Sequence, residues 1–217
     1  MADSVERALE KMLSGPCRIG QILVRKADGR GFVLCHRDDK ELRGLRQCRD
    51  PEEAIEIAKF DDAGNYRPLK TAPNLRHGWK MEVVGLPGLR RALDYFYPGR
   101  LALFAAWRKE QLQTTALRDT LNRQSGMYRA AAGISDEQID DLVGRFCRSD
   151  GGCLRTIAWK RDATGRVPST KLPREKFDPA CDQMREPAEP GGKSVPILCQ
   201  EACNLLVNEA RKVMNAE

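Results

Sequence analysis

The sequence predicts an α+β protein in which a small antiparallel ββαββ domain precedes a mostly helical domain. Three observations carry this expectation. The turn signal Ala27-Asp28-Gly29-Arg30-Gly31 separates two apolar runs, residues 21–24 and 32–35, in the manner of a β-hairpin. Trp79, Met81 and Val83 alternate with Lys80, Glu82 and Val84, the period of a half-buried strand. From Pro87 onward the period turns helical, with Leu89, Ala92, Leu93 and Phe96 on one face. The expected division is therefore a domain over residues 1–97 and a second over 98–217.

Taken in order, residues 1–13 read as a charged amphipathic start without the apolar stretch of a secretory signal. After the hairpin at 20–36, a helix is expected over 51–59. Asp50 would cap it, Pro51 would open it, and Glu53 would reach back as the capping-box partner. Residues 61–65 form a loop, and residues 66–69 and 79–84 are the expected remaining strands. Pro98-Gly99 stops the helix that begins near Leu89. Further helices are expected over 100–111 and 116–122. Another follows the capping box Ser135-Asp136-Glu137-Gln138, where Ile139, Leu142, Val143 and Phe146 mark one face. Residues 160–195 are rich in proline, glycine and charge. A last helix is expected over about 196–214, with Ser194 as its cap.

The totals exclude several classes. No apolar run approaches the roughly 20 residues of a membrane-spanning helix. Lys and Arg number 37 against 31 Asp and Glu, a net charge of +6. The excess is spread evenly, 18 basic against 15 acidic in residues 1–99 and 19 against 16 in 100–217. A nucleic-acid binder usually gathers its charge into a patch, so nucleic acid is a disfavoured partner. No Ser/His/Asp or Cys/His arrangement, GxGxxG or phosphate-binding loop is visible. Gly191-Gly192-Lys193-Ser194 reads as a loop and cap. His36 beside Cys35 reads as a surface histidine at a strand end.

Eight cysteines remain. The absence of a secretory signal points to a cytoplasmic, reducing setting, where clustered cysteines bind metal or do redox chemistry more often than they form disulfides. Cys17, Cys35 and Cys48 fall near elements of the first domain and read as core thiols. Cys147/Cys153 and Cys199/Cys203 form two pairs. In a last helix starting at 196, Cys199 and Cys203 would share a face by i, i+4 spacing. Cys147-Arg148-Ser149-Asp150-Gly151-Gly152-Cys153 is a glycine loop able to wrap an inorganic centre. Cys181, between the pairs, is a possible substitute ligand. Of the spacings C-x5-C and C-x3-C, only the second falls within the zinc knuckle habit, and neither matches the ferredoxin run. On spacing alone, both zinc and an iron–sulfur cluster stay open.

Three segments resemble a known family. They are Arg123-Gln124-Ser125-Gly126-Met127-Tyr128-Arg129; Phe146-Cys147-Arg148-Ser149-Asp150 with Cys153-Leu154-Arg155; and Pro196-Ile197-Leu198-Cys199-Gln200-Glu201-Ala202-Cys203-Asn204. The chain is similar to the [4Fe–4S]-binding domain attached to CbiX-type sirohydrochlorin chelatases, preceded by its small stabilising domain. The resemblance implies a [4Fe–4S] cluster held by Cys147, Cys153, Cys199 and Cys203, with zinc as the alternative. Arg123, Arg129, Arg148 and Arg155 would be the basic residues near it. The chain has no room for the chelatase domain, and His36 and His77 lie in no chelatase context, so that activity is not carried over. The implied role is an accessory in electron transfer or redox sensing, with a chelatase or other tetrapyrrole protein as partner. The alternative is a nucleic-acid-binding protein with a structural zinc or iron–sulfur site.

Overall fold

The computed structural model describes residues 4–39, 43–147, 153–161 and 193–216. A first helix, α1 (Ser4–Met12), buries Val5 and Leu9, one turn apart, with Leu13 just beyond it. The chain then enters a six-stranded sheet in the order β4-β5-β3-β2-β1-β7. Its strands are β1 (Cys17–Ile19), β2 (Ile22–Lys26), β3 (Gly31–His36), β4 (Arg46–Cys48), β5 (Trp79–Val84) and β7 (Lys193–Val195). The β2–β3 hairpin pairs Lys26 with Phe32, and Gly29 supplies the left-handed residue its turn requires, at φ 72°. β5 buries Trp79, Met81 and Val83 and exposes Val84, as its alternation predicts. Trp79 stacks on Phe96 with ring centres 5.0 Å apart.

The sheet is mixed, which corrects the expected antiparallel arrangement. β4 runs parallel to β5 because the connection between them carries α2 (Glu53–Lys59), a crossover that returns the chain in the same direction. β7 runs parallel to β1 and comes from far along the sequence. Residues 66–69 form no strand. Only an isolated bridge joins Phe60 to Tyr66, and the buried Arg67 instead organises this stretch as a loop. α2 begins at Glu53, later than expected, and Glu52 rather than Asp50 is its cap residue, with no side-chain cap bond. In the turn before it, Glu53 accepts from the Arg49 and Asp50 N–H groups, and Asp50 accepts from Glu52 N–H at 2.9 Å.

Helix α3 (Gly85–Phe96) buries Leu89, Ala92, Leu93 and Phe96 against α2 and the sheet. α4 (Arg100–Arg108) is shorter than expected, because Glu110 turns the chain at φ 57°. These elements close one hydrophobic core, from Val5 to Ala105, that also takes in Val195 and Ile197. A second core runs from Leu117 to Ala210. It joins α5 (Leu117–Asn122), a 3-10 turn at Gly126–Gly133, α6 (Asp136–Cys147), the parallel pair β6 (Thr156–Ile157) and β8 (Leu198–Cys199), and α7 (Asn204–Asn215). The capping box of α6 is reciprocal: Gln138 N–H donates to Ser135 Oγ at 3.2 Å, and Ser135 N–H donates to Gln138 Oε1 at 2.8 Å.

The last helix starts at Asn204, not near residue 196, and Cys203 rather than Ser194 is its cap residue. Lys193–Val195 and Leu198–Cys199 are strands instead, the first on β1 and the second on β6. The Lys193–Ser194 stretch is therefore an edge strand and not a helix-capping loop. His36 is buried at 2% exposure, against the surface position expected for it. Among the described residues no helix is long and apolar enough to cross a membrane.

Within the first core, Gly20, at φ 57°, lets the β1–β2 turn approach Tyr97 and Ile197. A Cβ there would lie 2.6 Å from both Ile197 Cδ1 and Tyr97 Oη, and Tyr97 Oη accepts from Gln21 N–H at 3.0 Å. Gly20→Ala should cost about 2–4 kcal/mol, from left-handed strain and overpacking together. Urea unfolding checks this; a loss below about 0.5 kcal/mol, the range of a neutral surface change, would contradict it.

Candidate metal centre

Four thiols from four different places line one apolar cleft: Cys147 at the end of α6, Cys153 beyond the glycine loop, Cys199 at the end of β8, and Cys203 at the cap of α7. The i, i+4 helical spacing expected for Cys199 and Cys203 does not bring them together. The strand-to-helix turn at residues 200–203 does. β6 fixes Cys199 from the other side, with Thr156 N–H donating to Ile197 O at 2.8 Å and Ala158 N–H to Cys199 O at 2.9 Å. Leu69, Phe146, Ile157, Trp159, Ala202 and Leu206 complete the wall.

The sulfurs are not left bare. Trp159, fully buried, donates its Nε1–H to Cys199 Sγ at 3.3 Å. Arg155 places Nη1 3.9 Å from the same sulfur and donates Nε–H to Thr71 Oγ1 at 2.8 Å. Thr71 Oγ1 lies 3.3 Å from Cys153 Sγ. Arg100 donates to the carbonyl of Leu198 at 2.9 Å, beside the Cys199 strand. Among the described residues neither Arg100 nor Arg155 has a carboxylate partner, so both charges are available to offset bound thiolates.

Burial pushes the Cys147 thiol well up, and the neighbouring Cys153, Cys199 and Cys203 add to the shift. Burial also raises Cys153, against the pull of Arg155 and of the Thr71 hydrogen bond. Burial works against the charge of Arg155, but the sulfurs of Cys153, Cys199 and Cys203 outweigh it and leave the guanidinium more basic than usual. Burial lowers Arg100, and the nearby Arg155 lowers it further. The site thus gathers positive charge around thiols that ligate a metal centre as thiolates.

Of the other residues expected here, Arg123 and Arg129 do not line the cleft. Arg123 is exposed and pairs with Glu201 at 3.8 Å, and Arg129 is exposed on the 3-10 turn. That turn packs on α7 and leaves Arg129 facing water. Arg148 and Cys181 lie outside the described residues. Cys17, Cys35 and Cys48 are buried in the first domain, where burial raises Cys17 to about 12 and Cys48 to about 11. All seven described cysteines are free thiols. Thr71, Arg100 and Trp159 were not anticipated. Trp159 alone carried a signal, since a buried indole needs an acceptor for its N–H.

The donor set fits an iron–sulfur cluster: soft sulfur ligands, with O–H, N–H and guanidinium groups directed at them.

Comparison with known proteins agrees. Residues 5–111 match the DR2241 stabilising domain, and residues 109–212 match the 4Fe-4S iron-sulfur cluster binding domain. No curated protein matches the chain. The structure is similar to that of DR2241 from Deinococcus radiodurans, described as a multi-domain protein with structural similarity to chelatases and two additional novel domains. The TM-score is 0.73 at 25% identity, over 98% of this chain and 41% of that one. The chain therefore spans about two fifths of that protein's length. It joins a DR2241-type stabilising domain to a 4Fe-4S iron-sulfur cluster binding domain.

Proposed function

We propose that Cys147, Cys153, Cys199 and Cys203 hold a [4Fe–4S] cluster, and that the chain works as an electron-transfer or redox-sensing accessory to tetrapyrrole or metal-insertion chemistry. The observation that carries the site is the convergence of four thiols on one cleft whose wall donates hydrogen bonds to them. When bound, such a cluster supplies one-electron chemistry. The protein's part is to hold and shield it. Leu69, Phe146, Ile157 and Leu206 limit water, Trp159 and Arg155 bind Cys199 Sγ, and Arg100 and Arg155 offset negative charge. Chelatase similarity in a related structure supports a chelatase or other tetrapyrrole protein as partner.

An anaerobic redox titration of the reconstituted chain tests the role. Reversible bleaching and recovery of the visible absorbance over the range spanned by biological iron–sulfur carriers is expected. A loaded protein that accepts no electron anywhere in that range would make the centre purely structural.

A further inference from the structure

The stabilising domain does more than brace its neighbour. Thr71 belongs to that domain, yet its side chain lies 3.3 Å from Cys153 Sγ, across 82 residues of sequence. The hydroxyl is buried, at 2% exposure for the residue. Its oxygen already accepts a hydrogen bond from Arg155 Nε–H at 2.8 Å. A cysteine that ligates a metal centre has lost its proton and can only accept. The direction is therefore fixed: Thr71 O–H donates to the sulfur of Cys153, and Arg155 orients it.

The loop that presents Thr71 is built for rigidity. Arg67, buried at 4% exposure, sends its guanidinium inward to the carbonyls of Ala58 at 3.3 Å, Lys70 at 3.2 Å and Ala72. Ala72 N–H closes a turn on Leu69 O at 2.9 Å, and Leu154 N–H donates to Thr71 O at 2.8 Å. Thr71 is thus pinned through its backbone to the residue after Cys153 and through its side chain to Cys153 itself. A buried arginine held by carbonyls alone is a costly device, and its effect is to hold this one loop in register with the cysteine.

Resting on the reading of the site as a [4Fe–4S] centre, we infer that Thr71 is a positioning residue that raises the reduction potential of the cluster, with Arg67 and Arg155 holding its hydroxyl on Cys153 Sγ. A hydrogen bond to a ligand sulfur withdraws electron density and favours the reduced, more negative state. The first domain then sets the redox property of the second.

The test compares potentials of the reconstituted chain and its Thr71→Val, Thr71→Ala and Thr71→Ser variants by anaerobic titration. Valine and alanine should make the cluster about tenfold harder to reduce, a downward shift of about 60 mV for one electron. Serine, which keeps the hydroxyl, should restore the wild-type value. A potential unchanged in the valine and alanine variants overturns the inference alone. Loss of the cluster from both, with retention in Thr71→Ser, would make the hydroxyl a retention device and also overturn it. A wild-type chain that takes up no iron and sulfide would overturn the reading of the centre, and the inference with it.

Discussion

Replacing any one of Cys147, Cys153, Cys199 or Cys203 with serine is expected to abolish stable retention of the cluster. Each thiol lines the same cleft from a different place in the chain, and among the described residues no further cysteine lines it. Serine offers a harder oxygen that is far harder to deprotonate, where soft sulfur is needed. Cys199 should be the most severe position. It is the most enclosed of the four at 8% exposure, and Trp159 and Arg155 both address its sulfur. Its S–H also donates to Glu201 O at 3.0 Å in the unloaded chain, a bond that loading must break. Because binding free energy is folding free energy for a domain built around its centre, thermal stability of the second core should fall with the cluster. Cys17→Ser, Cys35→Ser and Cys48→Ser serve as controls, since those thiols lie in the first core. They should cost stability yet leave iron content unchanged. Iron and sulfide assays of the seven variants check this; full loading of any one of the four single variants would remove that residue from the ligand set.

Trp159→Ala should produce the largest loss of stability among residues that are not ligands. The side chain is fully buried in the second core, among Leu117, Ile157 and Leu206. Truncating it leaves a cavity and forfeits its burial, about 3–5 kcal/mol together. Trp159→Phe separates packing from polarity. It keeps most of the apolar contact and removes only the N–H that donates to Cys199 Sγ at 3.3 Å. A charge-assisted hydrogen bond of that kind contributes about 1.5–3 kcal/mol, so phenylalanine should weaken cluster retention more than it weakens the fold. Urea unfolding of the unloaded chains, set beside the rate of cluster loss in chelator, distinguishes the two. An alanine variant within 1 kcal/mol of wild type by the same urea unfolding would contradict the burial argument.

The parts of this fold that were legible in the sequence are those set by local pattern. The Asp28-Gly29 turn, the alternation at Trp79–Val84 and the capping box of α6 appear as expected, because each depends on residues a few positions apart. The pairing of β7 with β1 could not be read in this way. Lys193–Val195 is too short and polar to declare itself a strand, and only the edge at Cys17–Ile19, some 175 residues earlier, makes it one. The same pairing explains why the last helix begins late and why its cysteines meet across a turn. For the site, the four cysteines stood out by type and by resemblance, while their surroundings did not. Thr71 reaches Cys153 only because Arg67 folds its loop inward. Arg100 reaches Leu198 only because α4, packed in the first core, abuts β8. Arg123, at the end of α5, and Arg129, on the turn that packs on α7, are near the cysteines in the motif but exposed to solvent.

The central claim is that one chain carries one four-iron centre on these four thiols. Quantifying iron, acid-labile sulfide and zinc in the chain after anaerobic reconstitution tests it most directly. Four iron and four sulfide per chain, with zinc absent, is the predicted result. One tightly held zinc per chain, with no sulfide, would contradict it.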